Sequence, residues 1–445
     1  MAVSRKTPPD PAASRLTLHW PDQLSGQCAF EVGLSGGLDS VALLALLCAE
    51  RDRRPGLALS AVHVHHGLSP NADAWAEHCR RLCAELAVPL RVERVTVAAG
   101  GGDSLEAAAR EARYAVYRGS SAGVIALAHH LDDQAETVLL QLLRGGGVRA
   151  LAAMPALREL AAGKLLWRPL LHVTRDRLHD YVRARGLAWI DDESNLDTRY
   201  RRNLLRHDIL PRIARAIPHY RSHLARAAAL QADAAAVLDE VASADAAAAA
   251  VADGLSWPAL AALSAPRRRL ALLRWLETLG WAAPEPAALL EFLRQLDEAG
   301  VGASPQLELV QGHLLRYANV VQAWTKVQCH IGDSRLDWRG GEMQELPEWG
   351  GSLEWERRPL GLPESALAGG LCLRQRQGGE KLPARVGRRE IKDLLREAGV
   401  PPLLRRRWPL LCDGGGELLA LPGIAVSAAR AAEPGWWPLW RPRRP

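Results

Sequence analysis

Ser35-Gly36-Gly37-Leu38-Asp39-Ser40 lies between two apolar runs of different kinds, and that placement decides the fold. Before it, Cys28-Ala29-Phe30-Glu31-Val32-Gly33-Leu34 reads as a buried strand. After it, Val41-Ala42-Leu43-Leu44-Ala45-Leu46-Leu47 reads as the start of a buried helix. A strand, a two-glycine turn and a helix N-terminus together make an anion cradle. The glycines let the backbone approach an oxyanion, and the first helical amides have no intrahelical acceptor. Ser35 and Ser40 add hydroxyl donors, and Asp39 is the candidate for holding magnesium against phosphate charge.

No Gly-x-x-x-x-Gly-Lys-Ser/Thr occurs, so the lysine of a Walker-type site is missing, and the dinucleotide fingerprint is absent here. The hexapeptide instead resembles the pyrophosphate loop of the ATP pyrophosphatase superfamily. That resemblance implies cleavage of ATP between its α and β phosphates, with adenylation of a substrate oxygen.

The chain around this loop is long, basic and poor in patterned cysteine. Its 445 residues imply two or three domains, and 48% hydrophobic content is enough for several cores. The net charge of +6 says little by itself, but arginine dominates it and clusters. Arg199, Arg201, Arg202 and Arg206 form one group, Arg267-Arg268-Arg269 a second and Arg405-Arg406-Arg407 a third. Arg441, Arg443 and Arg444 form a fourth, and four separated groups suggest an extended polyanion. Seven cysteines, at 28, 48, 79, 83, 329, 372 and 412, include no C-x-x-C pair. That disfavours a zinc ribbon or an iron–sulfur cluster and suits a reducing cytoplasm. Met1 to Arg15 lacks the apolar core of a signal peptide, and no run of about 18 apolar residues predicts a membrane span.

From 28 to about 190, strand and helix alternate. Strands are expected at 57–64, 90–97 and 124–128, with helices at 71–87, up to Arg118 from a cap at Asp103 or Ser104, and 131–144. Repeated β-α units imply an α/β fold with a doubly wound parallel sheet, whose ligands sit beyond the carboxyl ends of the strands. The glycine loop, His65-His66-Gly67 and His129-His130 all fall there, at one rim. Residues 219–300 read as a helical domain, 338–371 as a linker or irregular strands, and 371–426 as a small α+β domain. Domains are accordingly expected at 20–215, 216–330 and 350–445. Trp436-Trp437-Pro438-Leu439-Trp440 is expected to pack its own domain rather than stack on bases.

The second informative stretch is His129-His130-Leu131-Asp132-Asp133-Gln134-Ala135-Glu136-Thr137. On a helix, Asp132 and Glu136 share a face four residues apart, and Asp133 and Glu136 lie three apart. Acids at a helix start suit its dipole, but two histidines and three acids in eight residues exceed what capping requires.

His129 to Thr137, with Leu142, Arg144-Gly145 and Gly147, resembles a signature of the bacterial tRNA(Ile)-lysidine synthetase family. So do Val64 to Ser69 with Ala72-Asp73 and Trp75, Ala109-Arg110 through Arg113-Tyr114, and Arg168 to Leu171. Asp192, Ser194-Asn195, Asp197, Arg202-Asn203 and Arg206 form another matching block, and Arg374 to Glu380 with Lys392, Arg405 and Pro422-Gly423 a last one. The alanine-diluted central region departs from the family pattern.

The resemblance implies a two-step ligation on tRNA(Ile) bearing a CAU anticodon. The wobble cytidine is adenylated by ATP, and free L-lysine then displaces AMP to leave lysidine, changing codon specificity from AUG to AUA. On this reading Ser35, Gly36, Gly37, Leu38, Asp39, Ser40, His65 and His129 bind ATP, with Mg2+ on Asp39. Lysine's amine, with a pKa near ~10.4, arrives protonated, so Asp132, Asp133 or Glu136 would bind it and one would relay its proton. Arg110 and Arg113 would contact phosphate or substrate, or else pair with Glu106 or Glu111. Arg199, Arg202, Arg206 and Arg405 are the expected tRNA phosphate contacts. The location expected is cytoplasmic, without membrane partners, and a homodimer is left open. Competing readings are a sister enzyme that thiolates tRNA, a metallohydrolase using His65, His66, His129, His130 and Asp132, and a silent tRNA-binding scaffold.

Overall fold

Short apolar strands followed by amphipathic helices build the first half of the chain around one sheet. The computed structural model describes residues 16–18, 20–97, 105–193, 197–300, 303–326 and 333–443. The cap expected at Asp103 or Ser104, the Ser194-Asn195 pair, the Glu106 side chain, Cys329 and Arg444 lie outside the described residues. The chain divides into two compact units, one ending at Ala236 and one beginning at Val237.

In the first unit the order is β1 (Ala29–Gly33), α1 (Leu38–Arg53), β2 (Ala58–His65), α2 (Ala72–Glu85), β3 (Leu90–Arg94) and α3 (Leu105–Arg118). Then come β4 (Val124–Ala126), α4 (Leu131–Leu143), α5 (Val148–Leu151), β5 (Leu157–Ala161), β6 (Lys164–Trp167) and α6 (Arg175–Ala184). The sheet runs β3-β2-β1-β4-β6-β5, parallel except for β5, which returns antiparallel on β6 at one edge. Strand order reverses at β1, between β2 and β4, and such a switch point opens a crevice at the strands' carboxyl ends. The loops after β1 and β4 flank that crevice, which is why two distant motifs meet.

α1 is apolar almost all round, and ten of its residues from Leu38 to Cys48 are buried. It packs with Phe30, Val32, Trp167 and Tyr181 into the main core. Trp20 closes that core edge-on, its ring 5.0 Å from Phe30 and 4.9 Å from Trp167. Beyond α6, α7 (Arg201–Leu204) continues through a π-helical turn at Leu205–Ile209 into α8 (Leu210–Ala216). Pro211 has no amide to bond back one turn, which accounts for the irregularity.

The second unit departs from the expected all-helical middle. A long helix, Tyr220–Ala249, leads into it, and Ala265–Thr278 and Pro286–Glu298 are helices. A five-stranded sheet also forms, however, with Gly312–Tyr317 paired antiparallel to Val320–Thr325. Its other strands have two or three residues, too few to show a period. The hairpin turn uses Ala318 and Asn319 at φ +46° and +66°, so no glycine announces it.

Of the two readings of residues 338–371, a linker or irregular strands, the structure shows strands. Gly351–Arg358 pairs along its whole length with Gly435–Pro442, from Gly351 opposite Pro442 to Arg358 opposite Gly435. Trp440 is buried there, and Trp338 lies edge-on to both Trp355 and Trp436. The tryptophan-rich terminal segment therefore packs its own domain. No helix among the described residues is long and apolar enough to cross a membrane.

Candidate active site

The glycine loop is held from within and from behind. Gly37 caps α1, leaving the amides of Leu38, Asp39 and Ser40 without intrahelical acceptors. The Ser40 hydroxyl donates to Gly37 O at 2.9 Å and lies 3.1 Å from Ser35 Oγ. The Gly36 and Gly37 amides donate to Ser40 Oγ (3.2 Å) and Ser35 Oγ (3.3 Å). The two hydroxyls expected to reach phosphate thus shape the loop, and free helix amides remain for the anion. Behind it, the Ile190 amide donates to Gly36 O at 2.9 Å. Gly36 has φ +87°, and a Cβ there would stand 2.6 Å from Ile190 Cδ1 and 3.1 Å from Cys79 Sγ, so only glycine fits.

Asp39 faces the crevice, its side chain 31% exposed. Its Oδ1 has no hydrogen-bond donor, and Arg175 Nε stands 3.7 Å away. A hard, unsatisfied oxygen beside phosphate-binding amides suits a divalent cation shared with a polyphosphate. Among the described residues no three His, Cys, Asp or Glu side chains group to hold a metal. His65 pairs with Asp73 at 3.2 Å instead, and Asp73 with Arg94 at 2.5 Å.

α4 starts on a histidine cap. His130, 1% exposed, accepts from the Asp133 amide through Nδ1 at 3.4 Å, and its own amide donates to Asp133 Oδ2 at 3.1 Å. Its Nε2 lies 3.5 Å from Asp39 and 3.4 Å from Asp133. Burial lowers its pKa, but Asp39, Asp133 and Asp132 outweigh that and raise it overall. Neighbouring His129 has no such surplus of acids. Burial, opposed by Asp133 and reinforced by Arg168, lowers it to about 3, so it is neutral. Arg168 Nε donates to its Nδ1 at 3.3 Å. His66 is lowered to about 4 by burial and by Arg113.

The three acids of α4 do not act as one face. Glu136, 1% exposed, is gripped by Arg202 Nε at 2.7 Å and by Arg206 Nε and Nη2 at 2.7 and 3.0 Å. Asp133 accepts from Arg202 at 3.0 Å and lies 3.4 Å from Arg206. Burial raises the Asp133 pKa, yet His130 and Arg202 lower it overall. Asp132 turns away from Glu136 to cap α6 through the Arg175 amide at 2.9 Å and to pair with Arg221.

Comparison with known proteins puts these features in a family. Residues 13–213 match the PP-loop domain, 255–321 the TilS substrate binding domain and 371–440 the TilS substrate C-terminal domain. The tRNA(Ile)-lysidine synthase of Chromobacterium violaceum is 71% identical over 434 residues, covering 97% of this chain and 100% of that relative. The chain belongs to the tRNA(Ile)-lysidine synthase family. The Ralstonia nicotianae member is 41% identical over 431 residues, 92% of each chain. Among solved structures, the U34-tRNA thiolase NcsA of Methanococcus maripaludis aligns with a TM-score of 0.42 and 19% identity, over 49% of this chain and 76% of that one. The lysidine synthase family consists of enzymes, PP-loop ligases that use ATP.

Several sequence-based assignments need revision. Arg202 and Arg206, expected on tRNA phosphates, point inward because the buried Glu136 and Asp133 demand counter-charge. Arg405 bonds Val400 O at 2.7 Å and Tyr317 Oη at 3.4 Å, bracing its own unit. Arg267 and Arg268 are similarly committed, to Asp245 and Asp297. Arg199 alone of the tRNA candidates is exposed, and it is held by Asp197 at 2.7 Å. Arg110 donates to Tyr114 Oη at 3.2 Å rather than to Glu111, which pairs with Arg118. Arg113 is exposed. Arg175, Ile190 and Arg221 were not foreseen, and no local pattern marks them.

Proposed function

We propose that this chain makes lysidine at the wobble cytidine of tRNA(Ile) with a CAU anticodon, from ATP and free L-lysine. The carrying observation is the meeting of free α1 amides and the acidic α4 turn at one switch point of the sheet, with Asp39 and His130 3.5 Å apart between them. The α1 amides would hold the polyphosphate and stabilise the departing pyrophosphate. Asp39 would hold magnesium, which when bound offsets the charge of the phosphates. The cytidine 2-carbonyl oxygen attacks the α-phosphorus; lysine's amine then attacks C2 and expels AMP. Neutral His129 donates or accepts without adding charge, while Asp132 or Asp133 would receive the ammonium and take its proton. Two steps of opposite charge demand, an anion leaving and a cation arriving, match a site with amides on one side and acids on the other. Such a tRNA-modifying enzyme would act in the cytoplasm.

The thiolation reading finds no support in the cysteines nearest the loop. Cys79 is buried, and burial pushes its thiol up to about 12. The deciding experiment is transfer of radiolabelled lysine to tRNA(Ile) bearing a CAU anticodon, with and without ATP. Alkali-stable, ATP-dependent labelling is expected, and absence of label from folded protein would overturn the assignment.

A further inference from the structure

Arg175 opens α6 beyond the carboxyl end of β6, on the same rim as the glycine loop and the α4 turn. Its main chain is fixed against α4. The Leu131 amide donates to Val173 O at 2.9 Å, and the Arg175 amide donates to Asp132 Oδ2 at 2.9 Å. Thr174 accepts from the Arg177 amide at 3.4 Å. Two of the first three amides of α6 are thus taken by caps, and what the helix start offers the crevice is the Arg175 side chain.

That side chain is half-exposed, with Nε 3.7 Å from Asp39 Oδ1. At this distance the charges attract, but no hydrogen bond joins them, and Oδ1 has no donor. The other arginines around the α4 turn are committed. Arg202 and Arg206 hold Glu136, and Arg221 holds Asp132. Arg168 donates to His129 and to Pro155 O, while Arg110 and Arg158 stand over the Tyr114 ring. Among the described residues no hydrogen-bond acceptor meets the Arg175 guanidinium, so its donors remain for a ligand.

We propose that Arg175 is a catalytic residue of the adenylation step, contacting the phosphates of ATP beyond the α-phosphate and stabilising pyrophosphate as it leaves. The inference rests on the adenylation proposed above. Asp39 lies in the first turn of α1, so a guanidinium that approaches it also stands beside the amides offered to the polyphosphate. In the step itself the cytidine 2-carbonyl oxygen bonds to the α-phosphorus. The bond from that phosphorus to the bridging oxygen breaks, and its electron pair departs with pyrophosphate. Negative charge therefore builds on the leaving group, and neutral amides alone do not balance it. A guanidinium brings fixed positive charge and paired donors that match phosphate oxygens, which is how a single arginine accelerates phosphoryl transfer elsewhere. Its main chain, pinned by Asp132, sets the starting point of that reach.

The test measures binding of the two halves of the nucleotide, AMP and inorganic pyrophosphate, to the full chain by calorimetry in magnesium buffer. Pyrophosphate release on adding tRNA(Ile) is followed beside it. Arg175→Ala keeps the amide that Asp132 holds. It should weaken pyrophosphate binding about tenfold, leave AMP within about twofold and slow pyrophosphate release about a hundredfold. Arg175→Gln, which keeps the length of the side chain and removes its charge, is the second variant should the first fold poorly, and the same pattern is expected. Arg177→Ala removes an equal charge from the same helix turn and should match the parent. Equal losses for AMP and pyrophosphate would overturn the inference in favour of a structural role. Equal losses for Arg177→Ala would replace the contact with a diffuse field. Unchanged pyrophosphate binding with a raised KM for tRNA would overturn it in favour of a tRNA phosphodiester, and unchanged binding and release would leave Arg175 as a counter-ion of Asp39 only. A parent protein that binds neither half and releases no pyrophosphate would remove the adenylation reading itself, a result distinct from the others.

Discussion

The glycine loop and the acidic turn of α4 stand at the same rim and are built in opposite ways. Every side-chain hydrogen bond that shapes the loop joins residues no more than five apart, as between Ser35 and Ser40. On α4, Glu136 is gripped from 66 residues away by Arg202 and 70 by Arg206, and Asp132 from 89 by Arg221. The loop's side-chain bonds are local, and among the described residues only a backbone bond from Ile190 reaches it from far along the chain. A distributed device exists only once α7, the π-helical turn after it and the start of the Tyr220–Ala249 helix have docked. The loop is therefore a ready anion seat, whereas the acids are a charge-balanced assembly whose parts depend on each other.

Variants can separate the two. The largest effect is expected from Asp39→Ala, which removes the oxygen facing the crevice without touching the loop's own bonds. Pyrophosphate release on adding tRNA should fall about a thousandfold while the melting temperature stays close to that of the parent protein. A near-normal rate would break the claim that the loop side runs adenylation.

Glu136→Gln should act mainly on folding. It leaves Arg202 and Arg206 facing a neutral amide at a site 1% exposed, and loss of one partner from a buried pair costs about 3–5 kcal/mol. Urea unfolding measures it. A loss below about 1 kcal/mol would mean that the acids are not held by the arginines.

Ser40→Ala deletes the hydroxyl that joins Gly36, Gly37 and Ser35. The expected cost is about 1–2 kcal/mol, read as a roughly tenfold rise in KM for ATP with little change in KM for lysine. An equal rise in both would show the two halves of the site to be coupled after all.

The smallest effect belongs to His130. Its pKa is raised, so the charged form's contribution is complete below the unfolded value near 6.5 and is lost as pH climbs through the folded one. His130→Asn keeps a cap for α4 and should flatten the fall in melting temperature on the alkaline side of 6.5. Asp133 works in the other direction. Its pKa is lowered, so its contribution is present above about 3.8 and disappears as acid carries the pH down through the folded value. A His130→Asn protein with the parent's alkaline profile would remove the charge from His130.

The same contrast explains what the sequence made legible. Ser35 to Ser40 and His129 to Glu136 were found because their chemistry is compressed into a few residues, and β-α alternation placed both at one rim. Arg202 and Arg206 were recognised as belonging to a motif but assigned outward, to phosphate. Nothing in a run of arginines says whether a buried acid waits for it 66 residues upstream. The pairing of Gly351–Arg358 with Gly435–Pro442 escaped for a related reason, although irregular strands were one of the two readings of 338–371. Its period is obscured by glycine and tryptophan, and its partner lies about eighty residues on. The hairpin at Ala318-Asn319 lacked any glycine to mark it.

The cations gathered around this crevice, Arg110, Arg158, Arg168, Arg175, Arg202, Arg206 and Arg221, share one chemical trait. None of them has an amine. The one lysine described in this unit, Lys164, starts β6 at the far end of the sheet and donates to Ser120 O. A guanidinium stays protonated at any physiological pH and is a poor nucleophile. An enzyme that activates a carbon toward attack by a primary amine runs the risk of trapping itself. On the proposed reaction, meeting the need for positive charge with arginine keeps the side-chain amines of this unit's described residues away from the activated base.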